Sequence, residues 1–152
     1  MMEIMKKYEF TGEVKTWLGR TLHQIRAVVS FGEIDAGEVG GWIEKEENLS
    51  HDGNAWVYGN ARVYGNARVC DDARVYKQAH WLCIGPIGSR NDFTTFFRGE
   101  SKKIFVKCGC FRGDIDAFTA KVQATHGDGP HAKAYMAAIE LAKLRIDLSE
   151  DE

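Results

Sequence analysis

The stretch IGPIGSRND at 84–92 is where residue types and spacing best suit chemistry. Gly85 and Gly88 let backbone N–H groups approach an anion, Ser89 offers a hydroxyl, and Arg90 can grip a phosphate or carboxylate with two parallel N–H groups. The stretch lacks the Gly-Lys-Ser/Thr of a nucleotide-hydrolysing loop and the three-glycine dinucleotide fingerprint. It predicts a binding site for an anionic small molecule at Gly88, Ser89, Arg90 and Asn91. Arg98 and Arg112 would add charge, and Phe96 would stack on a base. The competing reading is a turn in which Arg90 only pins the loop to Asp92.

A second group of residues suits metal. Cys108 and Cys110 place two thiols close together, and His126 and His131 flank a later turn. Two thiolates and two imidazoles can hold zinc, but Cys-x-Cys is tighter than finger spacing, so packing without metal is expected. Cys70 and Cys83 read as packing residues. For catalysis the tract before the loop offers His51, followed by Asp52, and His80, which falls on an outward phase with no carboxylate beside it. Neither makes a convincing base. The expectation is therefore no catalytic residue, no cofactor and no enzymatic activity.

The elements that must position these residues are set by a repeat. Residues 53–82 read as five hexads: GNAWVY, GNARVY, GNARVC, DDARVY and KQAHWL. A period of six does not suit a helix, whose apolar stripe recurs at three and four. It suits short strands with Ala and Val turned inward, joined at Gly-Asn corners that accept left-handed backbone. The alanine phase runs back to Leu49 and Ile43. If three hexads close one coil, residues eighteen apart stack at roughly 4.8 Å. Trp56 then lies over Arg74, Tyr58 over Tyr76 and Arg62 over His80, with Arg62, Arg68 and Arg74 outward on three different sides.

This tract resembles the hexapeptide-repeat proteins that form a left-handed parallel β-helix, and more closely the GNARVYG proteins of prophages and gut bacteria. KYEFTG near the start, IGPIGSRNDFTTFF and CGCF extend that likeness. Three hexads to a coil leave room for about two coils between Ile43 and Leu82, and the resemblance implies a phage-type setting in which a protein holding an anionic signal such as a nucleotide near Ser89 and Arg90 would inhibit host defence. A module that inhibits a host protein, or a small hexapeptide-type acyltransferase, are the alternatives.

The flanks read as caps on the coils. Strands at 8–14 and 21–31 form a hairpin signal. Strands at 93–98 and 103–108 precede helices at 115–126, with Asp114 as N-cap, and at 130–146, opened by Pro130. The fold class is mainly β with α. Residues 1–42 form an N-terminal β-hairpin cap, 43–82 the β-helix and 83–152 a C-terminal α+β lobe with two helices and a fraying acidic tail at 149–152. Twenty Lys and Arg against 22 Asp and Glu give a net charge of −2, which argues against extensive nucleic-acid binding. No apolar run is long enough for a membrane span, and residues 1–10 lack a leader's apolar core, so the cytoplasm is expected. Two short coils with aromatics such as Trp56 and Tyr64 exposed would favour a dimer or trimer.

Overall fold

The computed structural model describes residues 6–149. The first five residues and 150–152, with most of the acidic tail, lie outside the described residues. Ten strands in three sheets and two α-helices are present among those described, and no sheet closes into a barrel. Among the described residues no helix is long and apolar enough to cross a membrane.

The first sheet runs β1 (Tyr8–Trp17), β2 (Arg20–Ala27), β3 (Val39–Ile43) and β5 (Arg62–Val63). The hairpin pairs antiparallel, while β3 and β5 pair in parallel. Strands β4 (Trp56–Val57) and β6 (Arg74–Val75) form a second parallel pair. An isolated parallel bridge joins Leu49 to Val69. The repeat thus returns on itself along three short sides. Trp56 stands opposite Arg74, and the Tyr58 and Tyr76 rings stack at 4.0 Å, as the hexad arithmetic requires. All the repeat alanines and valines from Ala55 to Val75 are buried. Fully burying each valine is worth roughly 1.5–3 kcal/mol, and this is what drives the tract to coil.

Three details differ from the expected stack. Ile43 lies opposite Val63, and Leu49 opposite Val69. Both therefore occupy the valine phase, not the alanine phase. The slip arises at one corner. Ser50 N–H donates to Val69 O, but Asn54 N–H donates to Asp71 O, so the lower coil carries two more residues around His51 and Asp52. Both phases point inward, so Ile43 and Leu49 remain buried despite the slip. Trp56 is fully buried, with its indole pressed on Gly40, where a side chain would collide with it. The fifth hexad leaves the coil: a 3-10 turn at Gln78–His80 directs the chain outward, and His80 is buried instead of facing solvent above Arg62.

A coil stack exposes unpaired backbone at both ends, and buried backbone groups must find partners. Here side chains supply them. At the lower end Tyr8 donates its hydroxyl to Leu49 O at 2.6 Å, and Lys7 Nζ donates to Ala55 O at 2.7 Å. At the upper end Arg62 N–H donates to Gln78 Oε1 (2.6 Å), Arg68 N–H to Thr95 Oγ1 (2.9 Å) and Tyr76 N–H to His80 Nδ1 (2.9 Å). Each side of the upper coil thus has its own acceptor. Closure within one chain removes the open-end argument for self-association.

The remaining sheet runs β7 (Trp81–Ile87), β8 (Asp92–Arg98), β9 (Ile104–Cys108) and β10 (Phe111–Asp114), all antiparallel. Helices α1 (Ile115–His126) and α2 (Pro130–Arg145) cover one face. Asp114 caps α1 by accepting from Ala117 N–H at 2.8 Å. Alternation along β8 joins the two cores: Phe96 packs under the helices and Phe97 against the coil stack.

Candidate functional site

The expected loop at 84–92 is mostly strand. β7 continues to Ile87, and only Gly88–Asn91 turns, closed by Asn91 N–H donating to Gly88 O at 3.1 Å. Gly88 has a φ of +82°, and a Cβ there would fall on the Tyr135 hydroxyl. Glycine is thus what lets α2 lie against this hairpin tip. The β9–β10 tip is a two-residue turn, with Cys108 opposite Phe111 and Gly109 at a φ of +58°.

These two tips and the facing surfaces of α1 and α2 enclose a cavity of about 400 Å³. It gathers Ser89, Arg90, Cys108, Cys110 and His126, residues that the sequence singled out for two unrelated reasons. Phe111, Phe118 and Val122 give it an apolar floor. Two cations, Arg90 and Lys121, line it against one carboxylate, Asp92. Asp92 accepts from Phe93 N–H at 2.8 Å, and Arg90 has no ion-pair or hydrogen-bond partner among the described residues. The pinning role considered for Arg90 is therefore not realised. Burial, then the neighbouring Cys108, pushes the Tyr135 hydroxyl up to about 12. It stays protonated and able to donate. Cys108 Sγ accepts from the Thr94 hydroxyl at 3.2 Å.

Several expected members lie elsewhere. Asn91 sits in the turn but does not line the cavity. Phe96 is fully buried in the helix-side core and has no face to offer a base. Arg98 is buried, with its guanidinium over Tyr76 at 5.2 Å. Arg112 lies 3.5 Å from Asp71 and borders a separate depression. The metal set does not assemble: the His126 and His131 rings lie 5.6 Å apart at angled planes, and no metal-holding group of three His, Cys, Asp or Glu exists among the described residues. Lys121, Thr125 and Tyr135 were missed. Their signal is faint: Lys121 and Thr125 flank the Phe118–Val122 stripe one helical turn apart, which marks them as rim residues only once something faces that helix.

The two tract histidines are engaged in structure. His51 Nδ1 accepts from Lys7 N–H at 3.0 Å, its Nε2 lies 2.9 Å from Glu46 Oε1, and its ring stacks on Tyr8 at 4.1 Å. The His51 hydrogen bond, more than any other contact, holds the Glu46 carboxyl below the ordinary carboxylate range. His80 is buried with Nδ1 committed to Tyr76 N–H.

No family model matches the chain. Over 37 residues, 24% of this chain, it is 46% identical to the uncharacterized acetyltransferase YdcK of Escherichia coli (strain K12). The matched segment spans 11% of that protein's length. This likeness to a protein described as an acetyltransferase overturns the expectation that the chain is not an enzyme. At 37 residues it assigns no activity.

Proposed function

We propose that the chain is a short left-handed parallel β-helix of the GNARVYG type, carrying a lobe that binds an anionic small molecule. The parallel pairing of residues eighteen and twenty apart supports the coil. The observation that carries the binding role is the cavity itself. A volume of about 400 Å³ lies in the range typical of small-molecule pockets. Arg90, which has no ion-pair or hydrogen-bond partner among the described residues, lines it, and its apolar floor suits the body of an organic anion such as a nucleotide. Guanidinium needs no tuning, since it stays charged. Calorimetric titration with a panel of nucleotides tests this. Arg90→Ala should weaken binding about tenfold or more, the loss of one charge-assisted contact, with an unchanged melting temperature. Equal binding by wild type and Arg90→Ala, or none by wild type, refutes it.

The acetyltransferase likeness favours a second reading, acyl transfer at the same cavity. His51 and His80 are committed to structural contacts, whereas the His126 ring lines the cavity and stacks on Tyr135 at 5.8 Å. His126 would take the proton of an acceptor amine or hydroxyl as it attacks a thioester carbonyl. The thiolate then leaves and is reprotonated. Thiol release from acetyl-coenzyme A that needs an added acceptor and is lost in His126→Gln supports this. Release unaffected by His126→Gln rejects it.

A further inference from the structure

A second concave site shares no residue with the cavity. It lies where the β1–β2 hairpin, the coil stack and the end of α2 meet, a groove of about 460 Å³. Four aromatic side chains line it: Trp17, Tyr64, Trp81 and Phe93, with Arg20 and Arg145 among them. All four aromatics are half-buried, so each keeps surface toward solvent. Three are locked from behind. The Arg62 guanidinium lies 4.1 Å from the Trp17 ring. Trp81 Nε1–H donates to Arg62 O at 2.9 Å. Tyr64 stands edge-on to Trp81 at 5.2 Å and beneath the Arg20 guanidinium at 5.1 Å. Arg20 is in turn held by Glu44 at 2.8 Å.

Aromatic rings held rigid by internal contacts and half-exposed in the groove are poised for contact with a ligand ring, because little side-chain entropy remains to be lost on binding. The arginines select what stacks. Arg145, in the last turn of α2, is exposed and has no ion-pair partner among the described residues. Flat apolar faces beside the Arg145 guanidinium match a planar heterocycle that carries phosphate. A neutral sugar would use the aromatic faces but leave Arg145 idle.

We propose that this aromatic groove is a binding site for a planar aromatic anion of the nucleotide class, with its ring held among the Trp17, Tyr64 and Trp81 side chains and its phosphate toward Arg145. The site is independent of the Ser89–Arg90 cavity. Tryptophan fluorescence titration with ADP and GDP tests it, with adenosine, inorganic phosphate and maltose as parallel probes. A saturable quench by a nucleoside diphosphate is expected, with adenosine about tenfold weaker and phosphate silent. No tryptophan lines the cavity, so the quench reads the groove; Arg145→Gln should weaken diphosphate binding about five- to tenfold at unchanged melting temperature, and Trp17→Phe should keep affinity within about threefold because it keeps a stacking face. The proposal is overturned if neither diphosphate binds, if Arg145→Gln binds as wild type, or if maltose binds in their place.

Discussion

Asn48→Asp exchanges one nitrogen for one oxygen and tests the coil stack at its most connected point. Asn48 is fully buried. Its Oδ1 accepts from Glu44 N–H (3.1 Å) and Lys45 N–H (2.9 Å), and its Nδ2 donates to Gly65 O (3.1 Å) and Ala67 O (2.9 Å). One amide thus ties the lower coil to the upper. In the variant a carboxylate oxygen faces two carbonyl oxygens, so the folded form must carry a proton. Holding that proton at pH 7 against an unfolded value of about 3.9 costs about 4 kcal/mol, at about 1.4 kcal/mol per pH unit. The protonated acid restores one donated bond of two, and the other is worth about 1 kcal/mol. The variant should therefore lose about 5 kcal/mol at pH 7, much of an ordinary domain's stability. The native form binds more protons than the unfolded form, so the variant's stability falls as pH rises above about 4. Urea denaturation of variant and wild type at pH 5 and pH 7 should show a deficit about 3 kcal/mol smaller at the lower pH. Equal deficits at the two pH values, or a deficit under about 1 kcal/mol at pH 7, would refute the geometry argued for Asn48.

Other perturbations reach the ends of the stack and the site. Burial lowers the Lys7 ammonium to about 8, only partly offset by Asp52 and Asp72. Its native pKa lies below its unfolded value, so the unfolded chain binds more protons between pH 8 and pH 10. Wild type should gain stability over that window relative to Lys7→Met, which scanning calorimetry across pH will show as a widening gap. Thr95→Val, isosteric but without the acceptor for Arg68 N–H, should cost about 1–3 kcal/mol by chemical denaturation, whereas Thr95→Ser should cost under about 1 kcal/mol. Val63→Asp puts an unpaired charge in the coil interior, costs several kcal/mol, and should abolish the cooperative melting transition. Gly88→Ala, at positive φ and against the Tyr135 hydroxyl, should lower the melting temperature by about 4–8 °C and displace the cavity wall, weakening any ligand that Arg90→Ala also weakens.

Local sequence carried much of the fold because its signals are short-range. The hexad phase is a property of six consecutive residues, and it was enough to bury Ala61 and Val63 together and to stack Tyr58 on Tyr76. Asp114 marks a helix start through a bond formed within one turn, and Pro130 marks one through its ring-fixed φ. The same locality misled at the edges. Nothing near His80 shows that its imidazole closes a coil end, because the unpaired Tyr76 N–H exists only after the coil has formed. Nor does a count by sixes reveal the two residues inserted near His51, since Leu49 is apolar in either phase.

The candidate site divides along the same line. Ser89 and Arg90 were legible because a turn with a cation is a local pattern, and Cys108 and Cys110 because they are near neighbours. Their meeting in one cavity with His126 and Lys121 was not, since it depends on two hairpin tips and a helix pair coming together. Phe96 and Phe97 show the limit in one dipeptide. Sequence made both aromatic, and only the sheet's place between the helices and the coil stack decided that neither ring lines the cavity. The aromatic groove is the extreme case: Trp17, Tyr64 and Trp81 come from the hairpin, the coil and the first strand of the lobe. By itself the sequence determined the repeat, its inward residues and its helices, because these follow from backbone periodicity and local hydrogen bonds. Tertiary structure alone decided which polar groups close the coil ends and which side chains share a cavity, because burial and proximity exist only between elements that have already packed.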